Sequence, residues 1–293
     1  MPKPRELRRR IRSVENTRQI TKTMEMVATS KLKRATDRVI AARPYAAALS
    51  EIIGELYSPD LAERFPLLRQ VGDRVGRVAL VLITSNRGLC GAFNGNLIRL
   101  AKQRMEELNR QGTEVELHGI GRKGIGYFRY IGHRLASQRQ DIGDKPTPRH
   151  AAEVMAPLME RFASGEIDAV EVVFAKFNSP LSTPPTVMRI LPVTPVSAAG
   201  SGKGGGRGNY ILRPSAEAIV EAVLPLYVQN AMFRALVETA AAEHGARRTA
   251  MKNATDSAGE MIEMLRRTYN RARQAQITQE IAEIVGGAEA LKG

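Results

Sequence analysis

The sequence predicts an α/β domain inserted between two long helices that pair as an antiparallel coiled coil. Three observations predict it. From 215 to 285 only Pro225 interrupts a helical composition, and a helix over most of that span would approach ~100 Å. Residues 4–57 are also helical by composition. Between them the hydrophobic period changes to short apolar runs alternating with amphipathic stretches, the mark of an α/β layer. A helix that long needs a partner along its length, and the other chain end is the available one. The expected divisions are a coiled-coil helix at 1–58, a Rossmann-like α/β domain at 74–196, a flexible linker at 197–209 and a second coiled-coil helix at 210–293.

The first helix carries Ile11, Val14, Ile20, Met24, Val27, Leu32 and Val39 at spacings near three and four, which predicts one apolar face. Pro44 is expected to kink or locally break it, and the Ser58, Pro59, Asp60 run to stop it. The apolar run 77–84 reads as a buried strand, followed by a turn at 85–88 and an amphipathic helix at 94–111. Strands are expected at 113–119, 169–177 and 186–191, and helices at 123–133 and 150–165, the last despite Pro157. The Gly- and Ser-rich run 197–208 reads as a linker. In the last helix Met251, Ala254, Ala258, Met261, Leu265, Thr268, Ala272 and Ala275 alternate in steps of three and four. That predicts a slender seam of mostly small residues.

Composition narrows the function. The 293 residues are 43% hydrophobic with 5% aromatics and no Trp. The single cysteine, Cys90, excludes an intramolecular disulfide and a multi-Cys metal site. No apolar run reaches membrane-spanning length, and residues 1–12 lack the apolar region of a signal peptide. The net charge of +14 is unevenly placed: residues 1–43 hold 13 Lys or Arg against four Asp or Glu, whereas 214–293 hold nine against ten. A basic helix beside a near-neutral one suits a solvated face, a nucleic acid or an acidic protein surface.

Several motifs resemble chemistry. GIGRKG at 119–124 matches the dinucleotide pattern through Gly119, Gly121 and Gly124, but follows the second strand of its domain rather than the first. Tight strand-to-helix turns account for it. GSGKGGGRG at 200–208 has no Ser or Thr after Lys203 and no strand feeding it, so it is a linker rather than a phosphate loop. Cys90 would need a histidine partner to act as a nucleophile, and His118, His133, His150 and His244 form no motif with it. No catalytic, cofactor-binding or metal-ligating residue is expected. The N-terminal charge leaves a basic coiled-coil nucleic-acid binder as the alternative. Past Arg273 the last helix becomes apolar at Ile277, Ile281, Ile284 and Val285, with no base before Lys292. Such an end either packs on its own domain or enters a sleeve of another protein.

Three stretches carry a family resemblance. IRSVENTRQITKTMEMVATSKL at 11–32 resembles the N-terminal signature of the gamma subunit of F-type ATP synthases. AMKNATDSA at 250–258, continuing to RQAQITQEI at 273–281, resembles its C-terminal signature, and TSNRGLCGAFN at 84–94 resembles a third motif. The resemblance spans the chain in order. It implies a non-catalytic central rotor stalk, with the coiled coil inside a hexamer of alpha and beta subunits and the α/β domain on the membrane c ring beside the epsilon subunit. It further implies no cofactor, no nucleic-acid partner, and a peripheral place on the cytoplasmic face of the bacterial plasma membrane, held indirectly through the c ring.

Carried over by position, the grip on the beta subunits falls on Arg273 and Gln274, with Thr278 and Glu280 at nearby positions of the same network, and Met24 on the N-terminal helix faces the beta levers. Ile277, Ile281, Ile284 and Val285 become an apolar bearing tip, and Tyr210, Ile211 and Arg213 the ring-facing foot. Asn86 stands where the family usually has Asp, and Arg213 where it commonly has an acid.

Overall fold

The computed structural model describes residues 4–56, 64–69, 75–193 and 215–290; the linker and Tyr210, Ile211 and Arg213 lie outside them. The elements are α1 (Pro4–Leu56), a 3-10 turn (Pro66–Leu68), β1 (Arg77–Ile83), α2 (Phe93–Arg110), β2 (Glu114–Ile120), α3 (Arg122–Tyr130), β3 (Ser137–Arg139), α4 (Pro148–Ala163), β4 (Ala169–Ala175), β5 (Pro185–Leu191) and α5 (Ala216–Ala290). Two long terminal helices in contact, with a mixed sheet domain between them in sequence, are the predicted fold class. The structure divides into two compact units, one of 1–28 with 247–293 and one of 29–246.

In the larger unit the sheet order is β3-β2-β1-β4-β5. β1 pairs in parallel with β2 and β4, β2 pairs in parallel with β3, and β5 runs antiparallel to β4. β1 and β4 are buried along almost their whole length, as strands covered on both faces must be. One face packs Ala79, Val81 and Ile83 against Met155, Leu158 and Phe162 of α4, and the same core takes in Val228, Met232 and Leu236 of α5 and Ile53 of α1. The other packs Leu80 and Leu82 against Phe93, Leu97 and Ala101 of α2, with Leu32, Ala35 and Val39 of α1 and Val237 and Ala241 of α5. Both long helices are therefore part of the domain core. β3, which the sequence does not announce, is a three-residue edge strand of Ser, Gln and Arg, too short and too polar to carry a hydrophobic period.

α1 runs through Pro44 without ending, which corrects the expected break. Proline removes one backbone donor and crowds the preceding turn. Here Pro44 itself is exposed, while Ala46, Leu49 and Ile53 beyond it are buried and hold the following turns.

In the smaller unit the two helices run antiparallel. Arg8 Nη2 donates to Tyr269 Oη at 2.7 Å, Arg266 pairs with Glu15 at 2.6 Å, and Thr21 meets Thr255. The buried and half-buried seam of α5 is Met251, Thr255, Ala258, Ile262, Leu265, Tyr269 and Ala272. This corrects the predicted seam: Met251, Ala258, Leu265 and Ala272 stand, but Thr255, Ile262 and Tyr269 replace Ala254, Met261 and Thr268. Half-buried Ala254 borders the seam, and Ala275 is exposed. On α1, Leu7, Ile11, Val14, Thr21 and Ala28 face inward, whereas Ile20 and Val27 are 59% and 51% exposed. Steps of four-then-three and three-then-four share every seventh residue, so a single helix does not choose between them; the partner does.

Candidate functional site

Three features could carry function: the distal part of α5, the turn after β1, and the charged groups of the α/β domain. Ala272 is the last buried seam residue of α5, and every residue from 273 to 288 is exposed. Arg273, Gln274, Thr278 and Glu280 thus stand in solvent on a single helix. Gln276 donates to Glu280 at 2.8 Å and Gln279 to Glu283 at 2.9 Å, both one turn apart. Such pairs support an exposed helix. Ile277, Ile281, Ile284 and Val285 are 46%, 56%, 71% and 60% exposed. Among the described residues they do not pack on the chain's own domain, one of the two readings the sequence left open. Met24 is half-buried on α1.

Exposed apolar side chains also lie along the paired helices. Ile20, Met26 and Val27 of α1 and Met261 and Met264 of α5 are all about half exposed. Ile20, Val27 and Met261 are residues that the sequence places in the seam. Displaced from it, they become surface, and a chain of exposed methionine and β-branched side chains on a coiled coil suits a second partner.

The turn from β1 into α2 is built from its own polar side chains. Ser85 N donates to Asn94 Oδ1 at 3.0 Å, and Asn94 Nδ2 donates to Ser85 Oγ at 2.8 Å and lies 3.2 Å from Cys90 Sγ. Cys90 is buried against these groups. Leu89 projects from the turn, 62% exposed, at φ 64, a left-handed conformation rare for a branched residue. Asn86 uses both ends of its amide. Its Nδ2 donates to the carbonyls of Gln140 and Ile142 at 3.0 Å each, and its Oδ1 accepts from Arg122 N at 2.9 Å. The sequence marked this position only as a departure from Asp; an aspartate has no donor for those two carbonyls.

The same contacts explain the GIGRKG run. The first amides of α3 are already engaged: Arg122 N by Asn86, Lys123 N by Ser85 O at 3.1 Å, and Gly124 N by Thr84 Oγ1 at 2.9 Å. A Cβ on Gly121 would lie 2.0 Å from Thr84 O, and one on Gly124 would lie 2.8 Å from Thr84 Oγ1. The glycines therefore admit the β1 turn, not a pyrophosphate, whose usual seat is a free helix N-terminus.

Charged groups in the domain are paired structurally. Glu171, 2% exposed on β4, receives Arg104 Nε at 2.7 Å and Arg189 Nη2 at 3.0 Å. Burial pushes this carboxyl up, but the two guanidinium groups overcome it and hold it below the ordinary range. Arg139 holds Asp141 down at about 2. Beside them, a groove of about 270 Å³ between α4 and β2–β3 is lined by His118, Arg139 and Arg161. Burial lowers His118, whose Nδ1 lies 2.7 Å from Ser137 Oγ.

No described helix is long and apolar enough to cross a membrane. A family model described as ATP synthase matches residues 3–291. The chain is 61% identical over its full length to the ATP synthase gamma chain of Gemmatimonas aurantiaca, all of which is covered. It is 44% identical, over 99% of this chain and 100% of the relative, to that of Leptospira biflexa. Its fold is similar to a chain of the Tetrahymena thermophila mitochondrial ATP synthase central stalk and c-ring, with a TM-score of 0.61, 25% identity, and coverage of 80% of this chain and 99% of that one. It also resembles a chain of the Euglena gracilis mitochondrial enzyme, with a TM-score of 0.66 at 20% identity and coverage of 98% and 94%. A pair of antiparallel terminal helices with a mixed five-stranded domain between them in sequence, matched along the whole chain by these relatives, makes this chain a member of the ATP synthase gamma-chain family, the non-catalytic central-stalk subunit of that complex.

Proposed function

We propose that this subunit is a rotor shaft that carries torque between a membrane c ring and the catalytic beta subunits of an alpha–beta hexamer. The observation that carries the reading is the exposed distal stretch of α5. Arg273, Gln274, Thr278 and Glu280 are exposed, and Ile277, Ile281, Ile284 and Val285 have no cover among the described residues. Polar groups at the proximal end give directional contacts that a moving beta segment can push against. Apolar groups at the tip offer a bearing, because dispersion contacts have no directional bond to break at each step. Met24 and the exposed Ile20, Val27 and Met261 extend the contact along the paired helices.

The charge of α1 suits acidic segments on the beta subunits, and salt is expected to weaken that attraction. The foot at Tyr210, Ile211 and Arg213 meets the c ring, with the epsilon subunit beside the α/β domain. The subunit then sits at the cytoplasmic face of a bacterial plasma membrane through the ring, without touching lipid, and binds no nucleic acid or cofactor. The test is recovery from solubilised membranes. Co-purification with nucleotide-hydrolysing alpha and beta subunits supports the proposal; recovery with nucleic acid and without those subunits refutes it.

A further inference from the structure

A shaft is useful only if its helices cannot twist relative to the domain that is driven, and hydrophobic packing is a poor guarantee of that. Apolar contact is non-directional, so it resists separation better than sliding. Within the unit 29–246 α5 is bonded to the end of β4, where Ala175 N donates to Thr239 Oγ1 at 3.3 Å and Phe177 N to Glu238 Oε2 at 3.1 Å, and one loop residue reaches further. Asp144 lies between β3 and α4, and its carboxylate pairs with Lys31 of α1. The same carboxylate oxygen, Oδ2, lies 3.9 Å from Nε2 of His244, a 3%-exposed side chain of α5. The backbone carbonyl of Asp144 accepts from Arg38 Nη1 of α1 at 3.4 Å. One residue therefore touches both long helices.

The loop that presents Asp144 is itself fixed on both sides. Upstream, Asn86 donates to the carbonyls of Gln140 and Ile142 at 3.0 Å each, which ties the loop to the turn at the end of β1. Ile142 is buried in the core. Downstream, Thr147 caps α4 in a reciprocal arrangement with His150, a device that fixes the entry of the chain into the helix. Asp144 thus stands on a short span anchored to the sheet through Asn86 and to α4 through Thr147. A carboxylate held this way resists rotation of the two helices against the sheet, because any such motion must stretch the contacts to Lys31, Arg38 and His244 in different directions.

We propose that Asp144 is a torsional tie within the unit 29–246, a positioning residue through which load passes between the sheet and both long helices, alongside the bonds of Thr239 and Glu238 to the end of β4. The inference rests on the rotor reading above and deepens it.

The experiment uses the assembled alpha–beta–gamma complex, with the hexamer fixed and a bead on the α/β domain. The readout is the angular variance of the bead while the complex is held in a nucleotide-locked pause. Thermal variance is inverse to torsional stiffness, so Asp144→Asn should broaden it beyond the wild-type width. Lys31→Gln, which removes the same pair from the other side, should broaden it likewise. Asp144→Glu keeps the charge and should stay near the wild-type width. Unloaded ATP hydrolysis by Asp144→Asn should be unchanged, since the residue touches no catalytic group.

A wild-type width in Asp144→Asn overturns the proposal, and so does Asp144→Glu broadening as much as Asp144→Asn. If Asp144→Asn does not assemble, Lys31→Gln decides by the same criterion. A wild-type complex that hydrolyses ATP but never rotates overturns the rotor reading and the tie together, which separates that failure from failure of the tie alone.

Discussion

Thr255 Oγ1 donates to Thr21 Oγ1 at 2.8 Å in the buried seam of the paired helices, and the Thr21 hydroxyl in turn donates to the Arg18 carbonyl at 3.0 Å. Two hydroxyls facing each other in the seam favour one register, because a slip forfeits the bond between them and leaves each only the carbonyl of its own helix, Arg18 for Thr21 and Met251 for Thr255. Thr255→Val alone strands an acceptor on Thr21 and should destabilise the chain by about 1 kcal/mol. Thr21→Val with Thr255→Val should recover much of that loss, giving a coupling energy of roughly 1 kcal/mol in denaturant unfolding. Strict additivity of the two substitutions would contradict the pairing.

Asn86 gives the second prediction. Asn86→Asp exchanges a donor facing the Gln140 and Ile142 carbonyls for an anion facing them. The expected loss is about 2 kcal/mol, with faster amide exchange across 140–144. Unchanged unfolding and exchange would show that the loop does not depend on this amide.

Glu171 provides the stability test with a pH dependence. Glu171→Gln removes the carboxylate that Arg104 and Arg189 share in a part-buried site, and leaves Arg104 paired with the more exposed Glu107. Because Arg189 is itself 43% exposed, solvent softens the penalty, and the expected loss at pH 7 is about 2 kcal/mol. Glu171 and Asp141 both have folded values depressed below their unfolded ones, with Asp141 at about 2 against 3.8. Depressed carboxylates stabilise the folded state above the unfolded value, and that contribution is lost as pH falls through the folded one. Stability should therefore drop between about pH 4.5 and pH 2, and the slope should be shallower in Glu171→Gln. A slope identical to that of the wild type would remove Glu171 from the account.

The grip is tested by Arg273→Ala with Gln274→Ala. Both side chains are exposed, so the isolated chain should unfold within about 0.5 kcal/mol of the wild type. ATP-driven proton pumping by the complex should fall several-fold relative to ATP hydrolysis. Full coupling in the double variant would show that the grip lies elsewhere on α5.

Much of the fold was legible because long helices and buried parallel strands write their periods into the sequence. The runs that became β1, β2 and β4 are apolar enough to locate, and α5 is too long to mistake. β3 was not legible, since Ser137, Gln138 and Arg139 pair through backbone alone. The coil register was not legible either. Met261 and Ile262 are both apolar neighbours, and only the opposing helix selects Ile262. Thr255 reads as polar surface until Thr21 is placed opposite it. The contacts of Asn86, noticed only as a departure from Asp, and of Asp144 were not legible because their meaning lies in backbone carbonyls and in a helix more than a hundred residues away. The exposed residues of the distal helix were named from the family motif and from an apolar composition that was present in the sequence.

The central claim is that this chain turns and that the exposed part of α5 carries the turning force. The most direct measurement is rotation of a bead on the α/β domain in a surface-fixed alpha–beta–gamma complex supplied with ATP. The account predicts unidirectional stepping in the wild type and reduced torque in Arg273→Ala with Gln274→Ala. ATP hydrolysis at a normal rate with a stationary bead, or full torque in the double variant, would contradict it.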